Sequence, residues 1–174
     1  MGAGVAITFA LAQPERVEKL VLVAPPPLAG TSETAKQVFG GFAFLIESLG
    51  LEQAVEVAMQ LPQFVELKQS QPEQHGQLRD WLRSLHPHAT VLAIRGLLNG
   101  PPLQEERFGE IVAPTLILAH PDDPIHPQSS AQKLHAAIAG SRLLMAPELN
   151  YYREHRDEML EEVTSFLRGE DAAK

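Results

Sequence analysis

One short loop holds most of the side chains with catalytic or metal-binding potential. Residues 120–126 read His-Pro-Asp-Asp-Pro-Ile-His, so two imidazoles and two carboxylates lie close together in sequence. Both groups are common metal ligands. Their spacing matches no recognised zinc motif, and Pro121, Pro124 and Pro127 restrict how the ligands can converge. We therefore expect no metal site. The structural alternative for the carboxylates is an Asp-Pro turn that caps a helix.

The composition excludes several other chemistries. The chain of 174 residues contains no cysteine, which excludes disulfides, thiolate metal sites and a cysteine nucleophile. The formal net charge is -8 without clustered Lys or Arg, so we expect no nucleic-acid surface. The apolar N-terminal segment is too short for a membrane span, and no basic residue precedes it, unlike a secretory signal. We expect a cytoplasmic protein with no membrane partner and no cofactor.

Aliphatic runs near both ends of the chain have the composition of buried parallel strands. They are Lys19–Ala24, Thr115–Ala119 and Arg142–Ala146. Each run is continuous, which is typical of a strand covered on both faces. Helical patterns flank them, namely Gly2–Gln13, Gln128–Ala139 and the amphipathic segment Arg156–Leu167. This alternation predicts an α/β fold whose short parallel sheet has about three strands.

The middle of the chain, residues 31–110, has helical patterns and no strand signal. The helical segments are Ser32–Leu49, Leu51–Leu61, Pro72–Leu85 and Thr90–Leu98. A helical insert between two parallel strands is expected to lie over the carboxyl edge of the sheet as a lid. We therefore predict a core at 1–30 and 111–169, a lid at 31–110 and a flexible tail at 170–174.

Three local sequences, in their order along the chain, carry a family resemblance. Met1-Gly2-Ala3-Gly4 matches the part of a G-x-S-x-G nucleophile elbow that follows the serine, and it leads into Pro14-Glu15-Arg16-Val17. Val112–Ala119 is followed by Asp122-Asp123-Pro124, as in the strand and loop that deliver a triad acid. Ser141–Ala146, Glu154-His155 and the closing helix match a last strand, histidine loop and final helix. Together they resemble the C-terminal part of the α/β-hydrolase superfamily.

The resemblance implies a partial α/β-hydrolase fold and a role for particular residues. Asp123 falls on the position of the triad acid, which orients the catalytic imidazole and stabilises its charged form. Asp122 takes this position if the register slips by one residue. The serine would stand directly before Met1, so Met1 is equivalent to the residue whose N–H belongs to the oxyanion hole. We expect the chain as given to lack the nucleophile and to be inactive.

The resemblance leaves the catalytic imidazole less certain in position than the acid. The histidine position of the family holds Tyr151 when aligned from the last strand and Leu149 when aligned from the final helix. Neither side chain acts as a general base near neutral pH. His155 is therefore the candidate base, with the alternative that it caps or flanks the final helix, and His126 and His120 of the acid loop are further candidates.

Two functions agree with these residues. In the first, the working polypeptide is longer and is a serine hydrolase that acts on an ester or similar acyl compound, a small molecule bound under the lid. In the second, the chain is a non-catalytic assembly or binding module on a truncated hydrolase fold. Without the strand that ends at the nucleophile, Lys19–Ala24 is an exposed aliphatic edge that favours pairing with another chain. We therefore expect a homodimer through this strand.

Overall fold

A computed structural model describes residues 2–31, 33–123, 125–149 and 151–170 of the chain. The chain divides into two compact units, Met1–Gly30 with Pro102–Lys174, and Thr31–Pro101. The first unit contains the sheet and the second is helical. No helix in the described ranges is both long enough and apolar enough to cross a membrane.

The described elements alternate at the two ends of the chain and are all helical between them. The strands are β1 (Leu20–Val23), β2 (Thr115–Ala119) and β3 (Arg142–Met145). The α-helices are α1 (Gly2–Ala12), α2 (Glu33–Leu49), α3 (Leu51–Ala58), α4 (Pro62–Ser70), α5 (Pro72–Arg83), α6 (Pro87–Asn99), α7 (Gln128–Ala137), α8 (Tyr151–Glu154) and α9 (Arg156–Arg168). Short 3-10 helices form at Pro14–Arg16 and Glu105–Glu110.

The strands form a parallel sheet in the order β1-β2-β3. Leu20 pairs with Thr115, and Leu116 pairs with Arg142, which sets the register on both sides of β2. Every residue of β2 is buried. The predicted parallel sheet is confirmed, and its outer strands are shorter than the aliphatic runs that predicted them.

Both faces of the sheet are covered, which explains why its strands are continuously aliphatic. On one face, Leu22 and Ile117 belong to a core shared with Ile7 of α1 and Leu134 of α7. On the other face, α9 covers the sheet. The side chains of that second core are Leu116, Leu118 and Phe166, with Val21, Leu144, Tyr152, Met159 and Val163 packed around them.

The segment 102–110 belongs with the sheet, although the sequence analysis placed it in the helical insert. Phe108, in the 3-10 helix at Glu105–Glu110, is 1% exposed and packs into the same core as Ile117 and Leu134. A short 3-10 helix gives little periodicity, so the sequence offered no signal that this segment contributes to the core.

The C-terminal end of α9 is bonded to the start of β1. The ammonium group of Lys19 donates to the carbonyl oxygens of Phe166 at 2.6 Å and Leu167 at 3.0 Å. Gly169 follows with φ 75°, the left-handed conformation that commonly ends a helix. The lysine thus satisfies two terminal carbonyl groups and places positive charge at the negative end of the helix.

The helical unit is built on α2, which packs against α3 and α6. Its core is formed by Ala43, Ile46, Ala54, Val91 and Ile94. The helix α4 was not predicted, and α6 begins at Pro87 where the sequence analysis began it at Thr90. Both differences have one cause, since Pro62 and Pro87 each lie in the first turn of a helix. Proline is favoured there because the N–H it lacks has no partner within the helix.

Candidate active site

The carboxyl edge of the sheet carries the side chains that the sequence analysis selected. Residues 120–127 follow β2, and α8 follows β3 after a short connection. Ala24, directly after β1, has φ 46°, and Asp122 has φ 54°. Residues other than glycine seldom adopt such angles, and they cluster at functional sites. Ligands of open parallel sheets bind at this same edge.

Asp123 is held in one orientation by its own loop. Its Oδ1 accepts the backbone N–H groups of Ile125 at 2.8 Å and His126 at 2.9 Å. Its Oδ2 lies 3.2 Å from Nδ1 of His126. These contacts form the capped turn that was the structural alternative in the sequence analysis. They leave one carboxylate oxygen facing an imidazole, which is also what a triad acid needs.

The carboxyl group of Asp123 has a lowered pKa. Burial is the largest single influence and acts to raise the pKa, because the side chain is only 14% exposed. The backbone N–H groups of His126 and Ile125, with the imidazole of His126, together outweigh burial and hold the pKa below its ordinary value. Asp123 therefore remains an anion at neutral pH.

The lowered pKa predicts how Asp123 affects stability. Because the pKa of Asp123 is lower in the folded chain, the unfolded chain binds the carboxyl proton more readily. The contribution of Asp123 to the free energy of unfolding is therefore fully present above the ordinary pKa and is lost as the pH falls through the lowered pKa of the folded state. Near neutral pH, we expect the wild-type chain to have a larger free energy of unfolding than the Asp123→Asn variant. The difference between the two free energies should decrease towards zero in acid. Urea titrations across the acidic range measure it. A difference that does not change with pH would show that ionised Asp123 adds no stability, and Asp122→Asn is the matched control.

His155 lies among different partners from those of Asp123. Its Nδ1 is 3.1 Å from Oε1 of Glu158, and its ring stacks on Tyr151 with centroids 4.1 Å apart. The hydroxyl of Tyr151 donates to the other oxygen of Glu158 at 2.7 Å. That bond is the main cause of a raised Tyr151 pKa. The structure therefore pairs His155 with Glu158 and Asp123 with His126.

Tyr152 joins the loop after β2 to the segment after β3. Its ring lies 5.4 Å from that of His120, and it packs against the core formed by Leu116 and Leu118. Burial, followed by the charges of Glu162 and Glu158, raises the pKa of Tyr152. Nε2 of His120 is buried and makes no hydrogen bond to the described residues. Tyr152 is not among the site residues predicted from the sequence, and the aromatic pair just beyond the last strand is the sequence feature that marks it.

Comparison with known proteins identifies this architecture. No family model and no curated protein matches the sequence. An esterase from Thermogutta terrifontis superposes with a TM-score of 0.73 at 21% identity, covering 97% of this chain and 62% of that chain. MenH from S. aureus superposes with a TM-score of 0.67 at 27% identity, covering 98% of this chain and 66% of that chain. MGS-M2, an α/β-hydrolase enzyme from a Medee basin deep-sea metagenome library, gives 0.70 at 20% identity, covering 95% and 62%.

The chain has the α/β-hydrolase fold. The predicted resemblance and the predicted fold class are thereby confirmed. The chain spans 62% to 66% of the length of these three structures, which is less than two thirds.

In an α/β-hydrolase fold, the nucleophile stands on a sharp turn between a strand and a helix, and the acid and the histidine follow it along the chain. Asp123 precedes both His126 and His155, so either imidazole satisfies this order. Met1, which the sequence analysis placed at the oxyanion position, lies outside the described residues, as do residues 171–174 of the expected tail.

Two other features of this α/β-hydrolase fold bear on ligands. Among the residues that the structure describes, no group of three or more His, Asp or Glu side chains is arranged to hold a metal ion. A surface cavity of about 470 Å³ is lined by residues 16–19 and Leu167. It lies beside the amino end of β1, at the opposite edge of the sheet from Asp123, so it does not belong to the candidate site.

Proposed function

We propose that this chain carries the acid and the general base of a serine hydrolase that acts on an ester or a similar acyl compound. In this proposal, the nucleophilic serine belongs to polypeptide that precedes Met1. The observation that carries it is the fixed, ionised carboxylate of Asp123 at the carboxyl edge of the central strand, with an imidazole on its free oxygen.

The chemistry follows from what such a carboxylate does for a neighbouring imidazole. An anion at Nδ1 keeps the proton on that nitrogen, which leaves Nε2 free to take the proton of an attacking hydroxyl. The same anion stabilises the imidazolium that results. Two of the structural neighbours are described as an esterase from Thermogutta terrifontis and an enol-lactonase from Burkholderia xenovorans LB400. Those descriptions support an ester or lactone as the substrate class proposed for this chain.

Ser141 is a poor substitute for the nucleophilic serine that the proposal places before Met1. Ser141 contacts a histidine, since its Oγ lies 2.9 Å from Nδ1 of His135. The hydroxyl of Ser141 also has a backbone acceptor, the carbonyl oxygen of His135 at 3.2 Å. Ser141 is also only 9% exposed, so a substrate has little access to its hydroxyl. This supports the proposal that the 174-residue chain alone does not hydrolyse esters.

The deciding experiment begins with the DNA upstream of the Met1 codon. An in-frame G-x-S ending there, preceded by strands, supports the hydrolase, and the longer polypeptide should then hydrolyse p-nitrophenyl acetate while the 174-residue chain does not. An immediate stop codon, or a longer polypeptide that cleaves no acyl ester, contradicts the proposal.

The outer edge of β1 supports a second candidate, a self-assembling module, when the chain occurs alone. Leu20 and Ala24 donate their N–H groups towards β2, at Pro114 and Leu118. Alternate residues of a parallel strand bond to the same neighbour, so Val21 and Val23 direct their backbone groups away from β2. The side chain of Val23 is also 43% exposed. We propose that a second copy of the chain pairs with this edge, giving the homodimer expected from the sequence.

The dimer is tested by placing a charge on this edge. Val23→Lys should convert the 174-residue chain from dimer to monomer in analytical ultracentrifugation, because lysines on edge strands oppose strand pairing. Val112, which is 78% exposed outside the sheet, provides a matched control. Val112→Lys should leave the dimer intact. A wild-type chain that is monomeric at all concentrations measured excludes this assembly.

A further inference from the structure

The loop after β2 carries a carboxylate and an imidazole that contact each other. Asp123 and His126 are three residues apart, and Oδ2 of Asp123 lies 3.2 Å from Nδ1 of His126. Oδ1 of Asp123 is already occupied by two backbone N–H groups, so only Oδ2 is available to the ring. The turn therefore fixes which oxygen and which nitrogen face each other.

This contact selects one tautomer of the imidazole. An ionised carboxylate only accepts hydrogen bonds, so Nδ1 of His126 must be the donor. In the neutral ring, the lone pair then lies on Nε2, which makes no hydrogen bond to any described residue. The side chain of His126 is 32% exposed, so part of it remains accessible to solvent. A neutral imidazole with a free Nε2 is the form that a general base requires.

We propose that His126, oriented by Asp123 within a single loop, is the general base of this site in place of His155. This inference rests on the proposed hydrolase function. Asp123 is then a positioning residue, and His126 is the group that takes the proton from the serine hydroxyl. His126 gives that proton to the leaving group as the acyl-serine forms. In the second half of the reaction His126 takes a proton from the attacking water and returns it to the serine as the acid is released, so the proton count balances.

The contacts of His155 favour this choice. Its carboxylate partner is Glu158, which also accepts the hydroxyl of Tyr151. The side chains of His155 and Glu158 are 45% and 58% exposed, against 32% and 14% for His126 and Asp123. Water competes with exposed pairs of this kind, so they hold a ring in place weakly. His155 fits a surface cluster at the start of α9.

The tautomer of His126 gives a test that needs no activity. In nitrogen-15 NMR spectra of the 174-residue chain at mildly alkaline pH, His126 should be protonated at Nδ1. Asp123→Asn keeps the Oδ1 acceptor of the turn but turns an amide donor towards Nδ1, so the proton should move to Nε2. Glu158→Gln makes the same chemical change beside His155 and should leave His126 unaltered. If the same ring nitrogen of His126 is protonated in the wild type and in Asp123→Asn, the proposed pair is overturned.

The catalytic role is tested in the longer polypeptide. His126→Gln should lower kcat for p-nitrophenyl acetate by about 100- to 10,000-fold, the usual contribution of a general base. His155→Gln should change kcat by less than about threefold. The reverse pattern overturns the role of His126 and leaves the hydrolase proposal standing. A longer polypeptide without any esterase activity overturns the hydrolase proposal and this role with it, while the tautomer experiment still reports whether the pair exists.

Discussion

Replacing Asp123 with asparagine should lower kcat of the longer polypeptide by about 1,000- to 10,000-fold, with little change in KM. The amide keeps the size of the side chain and the Oδ1 acceptor for the turn, so the loop should remain folded. Its NH₂ group faces the imidazole, however, and selects the wrong tautomer. In a serine protease with a catalytic triad, the same exchange lowers kcat by about 10,000-fold. Steady-state hydrolysis of p-nitrophenyl acetate measures the loss.

Asp122 provides the matched control for that substitution. It is adjacent in sequence and exposed, and Asp122→Asn removes the same charge. We expect kcat to change by less than about threefold. If Asp122→Asn causes the large loss and Asp123→Asn does not, the register of the acid loop is one residue earlier, which is the alternative that the sequence left open.

Shortening a side chain at the centre of the sheet should have the largest effect on stability. Ile117 and Leu118 are both 0% exposed and face opposite sides of β2. Ile117→Ala and Leu118→Ala should each lower the free energy of unfolding by about 2 to 5 kcal/mol, because each leaves a cavity in a different core. Urea denaturation followed by circular dichroism measures both losses.

Val112→Ala is the control for these two substitutions, since Val112 is 78% exposed and precedes the same strand. Its effect should remain within about 0.5 kcal/mol. A loss below 1 kcal/mol for only one of the core substitutions would indicate that one face of β2 is not covered. That result would contradict the arrangement of α1 and α7 on one face and α9 on the other.

The strands were predictable because burial on both faces of the sheet requires apolar side chains at successive positions. Helices cover both faces of β2, so Thr115–Ala119 is aliphatic without alternation, and the sequence marked its ends correctly. The same reasoning placed β1 and β3 to within a residue at each end. The helices of the insert were less predictable because proline interrupts a helix when it lies in the interior but is favoured in the first turn. Pro62 and Pro87 lie between the predicted helical segments, whereas each is the first residue of a helix in the structure.

The position of Asp123 was predictable from the family pattern, but its partner was not. The pairing with His126 depends on a turn whose backbone N–H groups bind the same carboxylate, and residue types do not reveal that geometry. His155 was selected because it follows the last strand, yet the start of α9 brings Glu158 within reach of its ring. A histidine and a glutamate three residues apart were the sequence signal for that contact.

The order of the strands also affects how the protein is made. Leu20 pairs with Thr115, and these residues are 95 positions apart. At ordinary elongation rates a ribosome takes roughly 5 to 20 s to synthesise the intervening chain. During that time, the aliphatic segment of β1 has emerged or is emerging without its neighbour, while the helices between can form from local contacts. The yield of correctly folded protein then depends on how long nascent β1 remains accessible to other chains, as well as on the stability of the finished sheet.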